Sequence, residues 1–132
     1  MKPKRKPNRH DEDDLQAACV RWYRIQYSAY KKLLFSIPNG AMLAGDSATR
    51  ARRWAQLEKT GAQSGVADLF LSIPSQGTHG LYIEMKTKKG IHSPAQKDFQ
   101  KAVEAAGYRY VICRSFEEFE TVIKNHFLAR VL

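Results

Sequence analysis

Residues 66–86 read VADLFLSI-PSQGTHG-LYIEMK, two apolar and β-prone runs (66–73 and 81–86) separated by loop-forming residues (74–80). Such runs predict adjacent antiparallel strands. A hairpin centred near Gln76 sets Asp68 directly across from Glu84, because side chains alternate between the two faces of a strand. One face then carries Asp68, Phe70, Tyr82, Glu84 and Lys86. The opposite face is predicted to form the core with Leu69, Leu71, Ile73, Leu81, Ile83 and Met85.

The predicted hairpin brings two carboxylates and one ammonium group onto a single face. Two like charges that face each other across a strand pair destabilise it, so Asp68 and Glu84 are best explained by a positive charge between them. A hard divalent cation, with Lys86 alongside, meets that need. The alternative is a solvated face, since polar alternation is the default for antiparallel strands and the bare spacing has little specificity.

The composition predicts one small basic domain. The chain has 132 residues, 43% of them hydrophobic, which suits a single compact domain over residues 11–132. Its formal net charge of +9 predicts a polyanionic partner, and nucleic acid is the favoured one. Residues 1–10 are basic and interrupted by proline. We interpret them as a flexible arm that either lies along phosphates or only keeps the chain soluble.

Other partners and locations have little support in the sequence. No stretch approaches the roughly 18 apolar residues of a spanning helix, and no apolar segment follows the charged start as it does in a signal peptide. We therefore expect a cytoplasmic protein with no membrane partner and no small-molecule cofactor. Cys19 and Cys113 are predicted to be buried free thiols. Surface or loop roles, and no metal, are assigned to the scattered histidines His10, His79, His92 and His126.

The first half of the chain predicts a helix, a strand and a second helix. The first helix starts at Asp11, and its apolar stripe consists of Leu15, Cys19, Trp22 and Ile25. A strand over 33–37 ends at the turn-forming residues 38–40, Pro-Asn-Gly. The next helix is capped by Asp46 or Ser47 and runs to about Thr60.

After the hairpin, capping boxes predict two more helices with a strand over 108–113 between them. The first box, Ser93-Pro94-Ala95-Gln96, begins a helix whose predicted core stripe is Phe99, Ala102, Val103 and Ala106. The second, over 115–118, begins a helix whose inward residues are Phe116, Phe119, Val122 and Ile123. The whole order predicts an α/β fold in which helices flank a mixed sheet.

Two groups of cationic side chains are candidate DNA contacts. Lys88 and Lys89 lie in the basic turn after the hairpin, and the helix over 46–60 carries Arg50, Arg52 and Arg53. Cations at phosphates position DNA without reading its sequence. A merely solvated helix face is the alternative for the three arginines.

Four sequence blocks, taken in order, resemble the PD-(D/E)XK nuclease fold and, more narrowly, the VRR-NUC family of virus-type replication-repair nucleases. The blocks are Ile37-Pro38-Asn39-Gly40, residues 61–69 (GAQSGVADL), residues 83–90 (IEMKTKKG) and Ser93-Pro94-Ala95-Gln96. The resemblance extends from about Glu12 to Glu118 and implies a restriction-endonuclease-like core. One departure is Ala67, where the family usually has proline, a residue that shapes the backbone and does no chemistry.

The resemblance assigns roles by position. It implies that Asp68 and Glu84 bind the metal together with the backbone carbonyl of Met85, and that Lys86 is the catalytic lysine. Glu12 would bind the metal through a water molecule. Gln96 would lie near the nucleophile, although its place in a capping box explains it equally well.

Together these features predict a divalent-metal-dependent endonuclease that hydrolyses DNA phosphodiester bonds, with Mg²⁺ as the metal and Mn²⁺ able to replace it. Isolated phage-type members of the family are small homodimers linked to Holliday-junction-like substrates. The resemblance therefore implies a homodimer acting on branched DNA, in the cytoplasm of a bacterial host if the chain is phage-encoded. Two alternatives stay open: a basic nucleic-acid-binding module without catalysis, and a restriction-like or nicking endonuclease on linear duplex DNA.

Overall fold

The computed structural model describes residues 9–38 and 43–130, and the predicted order of helices and strands is confirmed. In chain order the elements are α1 (Arg9–Gln26), a 3-10 helix (Ser28–Leu33), β1 (Leu34–Ser36), α2 (Ser47–Lys59), β2 (Leu69–Leu71), β3 (Leu81–Met85), α3 (Pro94–Ala105), β4 (Arg109–Cys113) and α4 (Phe116–Arg130). The predicted turn over 38–40 lies mostly outside the described residues. So do residues 1–8 of the arm predicted over 1–10, whereas its last two residues, 9 and 10, begin α1. The fold is α/β, a mixed sheet flanked by helices, as predicted.

The strands form one sheet in the order β1-β2-β3-β4. The β1/β2 and β2/β3 pairs are antiparallel, whereas β3 and β4 are parallel. Leu69 pairs with Ile83 and Phe70 with Tyr82, so the same register sets Asp68 level with Glu84. The predicted register of the hairpin is therefore confirmed, although β2 is shorter than the apolar run that encodes it.

One face of this sheet forms the core beneath α1 and α4. All six hairpin side chains that alternation assigned to this face are buried: Leu69, Leu71, Ile73, Leu81, Ile83 and Met85. Cys19 and Tyr23 of α1 and Phe119 and Ile123 of α4 complete the same cluster. Cys19 and Cys113 are buried free thiols, as predicted.

The apolar stripe of α1 differs from the predicted one. The helix begins at Arg9, two residues before Asp11. Tyr23 is fully buried, whereas the predicted Ile25 is 64% exposed. A helix has 3.6 residues per turn, so Tyr23 lies one turn beyond Cys19 on the same face and Ile25 points away from it.

The opposite face of the sheet is aromatic and carries α3. The ring of Tyr82 lies 4.5 Å from that of Phe70 and 5.2 Å from that of Phe99 in α3. The predicted core stripe of α3 is only partly correct, because Ala102 and Ala106 are exposed. The large Phe99 ring spans the gap to the sheet, and short alanine side chains do not.

His126 contradicts the surface or loop role that the sequence suggested. It lies on α4 one turn after Ile123, with no exposed surface. Its Nε2 is 2.6 Å from the carbonyl oxygen of Ile73, and the Ser75 hydroxyl donates a hydrogen bond of 2.6 Å to the His126 carbonyl. The buried imidazole therefore ties the hairpin loop to α4.

Candidate active site

The side chains of Asp68, Glu84 and Lys86 meet where the hairpin strands end. Glu84 and Lys86 are only 3% and 9% exposed, and Asp68 is half-buried. The Lys86 Nζ lies 3.5 Å from Glu84 Oε1. The site is thus a partly desolvated cluster and not a solvated strand face, because charged groups are seldom this deeply buried without a partner.

Asp68 is held by the backbone of the neighbouring strand. Its Oδ2 accepts a hydrogen bond of 2.7 Å from the Met85 N–H. The Asp68 carbonyl accepts another, of 2.9 Å, from the Ile37 N–H, which continues the β1/β2 ladder beyond the strand end. Both contacts fix the carboxylate beside Glu84.

Glu84 has one satisfied and one unsatisfied oxygen. Its Oε1 accepts a hydrogen bond of 2.8 Å from the Gln96 side-chain amide and also faces Lys86. Its Oε2 is buried and receives no hydrogen bond from an N–H or O–H donor within residues 9–38 and 43–130. A buried carboxylate oxygen left without a partner is costly, so this atom marks a place that a ligand would occupy.

Gln96 completes the predicted capping box, and its side-chain amide also contacts a carboxylate of the site. Its Oε1 accepts a hydrogen bond of 2.9 Å from the Ser93 N–H, which completes the capping box of α3. Its Nε2 donates to Glu84. The start of α3 therefore positions a carboxylate of the site.

Gly65 lets the chain segment before Asp68 lie directly on the first turn of α3. A methyl group at this position would collide with the Ala95 carbonyl oxygen and lie 2.9 Å from the Gln96 nitrogen. Its φ of +82° is also one that other residues rarely adopt. The close contact joins the segment that carries Asp68 to the helix that carries Gln96.

Glu12 reaches the site from the first turn of α1. A methyl group on Gly90 would lie 3.3 Å from Glu12 Oε1 and 3.0 Å from Lys86 Cδ, so Glu12 and Lys86 both lie next to Gly90. The negative charge of Glu12 is also close enough to influence Asp68. The predicted convergence of Glu12 on the site is therefore seen in the structure.

The two carboxyl groups disfavour each other's charge. Burial, followed by the negative charge of Asp68, raises the pKa of Glu84 from 4.5 to about 8. Burial also raises the pKa of Asp68, and Glu12 adds to that rise, whereas the Met85 N–H and Lys86 oppose it. Without a cation the pair therefore retains a proton near neutral pH.

The VRR-NUC domain model matches residues 10–117, most of the chain. The chain belongs to the VRR-NUC family. This is a family of nuclease domains, so the chain is assigned to the nucleases. A solved structure described as a VRR_NUC domain protein has a similar fold, with 22% sequence identity, a TM-score of 0.74, and coverage of 89% of this chain and 88% of that one. No curated protein matches the chain.

The donor set of this VRR-NUC site fits a small hard cation. Among residues 9–38 and 43–130, no three His, Cys, Asp or Glu side chains gather closely enough to hold one ion together. Two carboxylates remain, with one buried oxygen lacking a partner. Mg²⁺ is commonly bound by one or two carboxylates, and water and substrate oxygens supply its other ligands.

The predicted DNA contacts lie at two separate places. Lys88 and Lys89 are exposed on the turn after Lys86, next to the site. Arg50, Arg52 and Arg53 are exposed on α2, none of whose residues is buried. The hydrogen bonds of Arg52 and Arg53 go to Thr49 and Ala44, within their own segment, so the structure does not join these arginines to the carboxylates.

Sequence patterns missed two residues next to the site. Tyr110 of β4 lies on the same face as Tyr82, and its hydroxyl is 3.1 Å from His92 Nε2. Burial, followed by the charges of Glu84 and Asp68, raises the pKa of Tyr110, which keeps the phenol neutral. Arg114 follows β4 and contacts the turn after Lys86. Neither has a local signal, because the pairing of β4 with β3 had to be known first.

The structure offers no membrane-crossing helix within its described ranges, since none there is both long and apolar enough.

Proposed function

We propose that this VRR-NUC chain is a divalent-metal-dependent endonuclease that hydrolyses phosphodiester bonds of DNA, with a preference for branched DNA. The observation that carries the proposal is the pair of facing carboxyl groups, Asp68 and Glu84, in which the buried Glu84 Oε2 receives no hydrogen bond from an N–H or O–H donor of the described residues. A cation at this point would pair with that oxygen and offset the repulsion between the two facing carboxylates.

Asp68, Glu84 and the Met85 backbone carbonyl would hold the cation, with Mg²⁺ as the expected ion and Mn²⁺ able to replace it. When bound, such an ion polarises a phosphodiester and lowers the pKa of water. Asp68 is pre-positioned by the Met85 N–H at 2.7 Å and Glu84 by the Gln96 amide at 2.8 Å. Preorganised ligands of this kind avoid a reorganisation cost during the reaction.

Lys86 supplies a positive charge from the protein itself during the reaction. Its ammonium group lies 3.5 Å from Glu84 and is almost fully buried. From there it orients the nucleophile or takes its proton, and it offsets the negative charge that develops on the phosphate. Gln96 holds Glu84, and the negative charge of Glu12 acts on Asp68.

The preference for DNA rests on charge. The net charge of +9 attracts a polyanion, and Lys88 and Lys89 are exposed beside the site, where phosphates flanking the scissile one would lie. Two copies related by a two-fold axis would present two such sites to opposite strands of a junction.

The decisive experiment removes the site's charges one at a time. Asp68→Ala and Lys86→Ala are expected to lower cleavage of junction DNA by at least about a thousandfold, because each removes a group that acts in the transition state. DNA binding in EDTA and the thermal unfolding transition should change little. Asp98→Ala and Lys101→Ala are matched controls, because they remove the same charges from exposed positions on α3.

Substrates and metals separate the proposal from its alternatives. Junction, flap and linear duplex DNA should be compared with Mg²⁺, with Mn²⁺ and with EDTA. Equal cleavage of linear duplex favours a restriction-like or nicking enzyme. Salt-sensitive binding without any metal-dependent cleavage indicates a non-catalytic binding module, and cleavage that survives EDTA or both substitutions contradicts the metal mechanism. Sedimentation velocity on the same samples tests the dimer.

A further inference from the structure

The turn that follows Lys86 is closed by its own backbone. The Gly90 N–H donates a hydrogen bond of 3.0 Å to the Thr87 carbonyl. Lys88 and Lys89 are exposed at the tip of this turn, and Lys86 is buried at its base. Any movement of the turn therefore changes the surroundings of the buried lysine.

Arg114 grips this turn from the neighbouring strand. Met85 pairs with Cys113, so Arg114 leaves β4 beside the point where Lys86 leaves β3. Its Nη1 donates hydrogen bonds of 2.9 Å to the Thr87 carbonyl and 2.7 Å to the Gly90 carbonyl, and it lies at a longer distance of 3.5 Å from the Lys88 carbonyl. One guanidinium nitrogen thus fastens both ends of the turn.

The backbone of Arg114 is itself held by the start of α4. The Arg114 N–H donates a hydrogen bond of 2.6 Å to Glu118 Oε2, and the Glu118 N–H donates one of 3.1 Å to the Ser115 hydroxyl. These paired bonds connect Arg114 to the first turn of a helix whose Phe119 is in the core. Arg114, which holds the turn, is therefore itself fixed to the first turn of α4.

Gly90 connects the turn held by Arg114 to the side chain of Lys86. Because a methyl group at position 90 would lie 3.0 Å from Lys86 Cδ and 3.3 Å from its Cβ, the backbone of Gly90 lies directly against the lysine side chain. A lysine has a flexible four-carbon stem, so its ammonium group is placed only as well as its surroundings allow. Gly90 forms one wall of those surroundings, and the same glycine faces Glu12.

We propose that Arg114 is a positioning residue of the active site, which holds the Thr87–Gly90 turn so that Gly90 keeps the Lys86 ammonium group beside Glu84. This role rests on the proposed nuclease function. Asp68 and Glu84 are held by other contacts, the Met85 N–H and the Gln96 amide, so the cation site does not depend on Arg114. Loss of Arg114 therefore lowers the rate of the chemical step and leaves metal and DNA affinity unchanged.

The test compares Arg114→Met, which keeps the apolar stem and removes the donors, with Arg114→Lys. Arg114→Met is expected to lower the single-turnover rate constant by about tenfold to a hundredfold, as for other residues that orient a catalytic group. The DNA dissociation constant in EDTA and the Mg²⁺ concentration for half-maximal rate should stay within about twofold of the wild type. Arg21→Met is the matched control, because Arg21 is exposed on α1 and plays no part in the site.

Arg114→Lys is expected to recover most of the rate, because all three contacts come from one nitrogen and an ammonium group also donates several hydrogen bonds from one point. A readout independent of activity is the hydrogen exchange of the Gly90 amide, which closes the turn. It should accelerate in Arg114→Met and return towards the wild-type rate in Arg114→Lys.

The possible results are distinguishable. A wild-type rate or unchanged Gly90 exchange in Arg114→Met overturns the positioning role while the nuclease function stands. Weaker DNA binding that accounts for the whole loss of rate identifies Arg114 as a DNA contact and also overturns it. If the wild type shows no metal-dependent cleavage, the proposed function fails, and the exchange data still decide whether Arg114 holds the turn.

Discussion

At the scale of single residues, Glu84 is the clearest case of a side chain whose chemistry comes from its surroundings. A glutamate on a strand is ordinary, but this one is buried, faces a second carboxylate and has one oxygen that no donor in the described part of the chain reaches. Burial, followed by the charge of Asp68, raises its pKa from 4.5 to about 8. The folded protein therefore holds a proton here that the unfolded chain loses at lower pH.

This proton predicts the pH dependence of stability in EDTA. Between about 4.5 and about 8 the folded state binds more protons than the unfolded state, so the free energy of unfolding falls as pH rises through that window. The stability contributed by this proton is fully present below pH 4.5. Above that pH the free energy of unfolding falls by at most about 1.4 kcal/mol per pH unit for one proton. Denaturant unfolding across this range measures it.

Glu84→Gln is the control for this pH prediction, because the amide has a similar shape and does not titrate. It should flatten the slope, and saturating Mg²⁺ should flatten it in the wild type if the cation binds the ionised pair. A slope that is unchanged in Glu84→Gln would assign the titration to another group.

At the scale of elements, the start of α3 joins folding to chemistry. One glutamine side chain completes the capping box and also holds Glu84. The segment that carries Asp68 lies on the same helical turn, through a glycine that no larger residue can replace without a collision. Local helix capping and the placement of two carboxylates thus depend on the same few residues.

Gly65→Ala tests this close packing. The substitution is expected to lower the free energy of unfolding by about 2 kcal/mol or more, since the methyl group meets backbone that no rotamer change can move, and the positive φ adds strain. Cleavage should fall as well, because Asp68 and Gln96 are pushed apart. Chemical denaturation and single-turnover cleavage measure the two effects.

Gly61→Ala is a matched control for Gly65→Ala. Gly61 also has a positive φ, of +114°, yet no atom of the described residues lies within 4 Å of the position that a methyl group would take. Only the conformational cost of about 1 kcal/mol is expected there. Equal destabilisation in the two variants would show that the close packing at Gly65 contributes nothing beyond its φ.

At the scale of the whole molecule, the cationic side chains that are candidate DNA contacts form two groups, one beside the site and one on α2. Lys88 and Lys89 adjoin the carboxylates, whereas the arginines of α2 lie on a helix that buries none of its residues. Phosphate contacts made by such residues raise affinity without sequence preference and depend strongly on salt. The two groups should therefore have different effects on DNA binding and on cleavage.

Replacing Arg50, Arg52 and Arg53 together by Gln is expected to weaken binding to DNA and to reduce the slope of log K against log salt by up to about 2.7, or about 0.9 for each phosphate that is no longer neutralised. The rate at saturating DNA should not change. Fluorescence anisotropy over a series of salt concentrations gives the slope. The same replacement of Arg21, Lys31 and Lys101, which are also exposed, controls for net charge; an equal fall in slope would argue against a specific role for α2.

Much of the fold and the centre of the site were predictable because they depend on local patterns. The alternation of residues 66–86 correctly placed Asp68 level with Glu84, since a period of two residues and a short loop leave few possible registers. Capping residues marked the starts of α3 and α4 because capping acts over four consecutive residues. The second box is incomplete, since the Glu118 carboxylate accepts from the Arg114 N–H and not from the Ser115 N–H. Sequence patterns gave wrong predictions where tertiary packing determines burial, as for Ile25, which is exposed, and His126, which is buried.

Three features follow from the amino-acid sequence alone: the order of elements, the face of the hairpin that carries Asp68, Glu84 and Lys86, and the positive charge that favours a nucleic-acid partner. Tertiary packing was needed to show that Glu84 has a buried oxygen reached by no donor of the described residues, that Gln96 holds its other oxygen, and that Arg114 holds the turn after Lys86. Periodicity and capping act over a few residues and can be read along the chain. Burial and hydrogen bonds between distant segments arise only when β4, α1 and α3 pack around the hairpin.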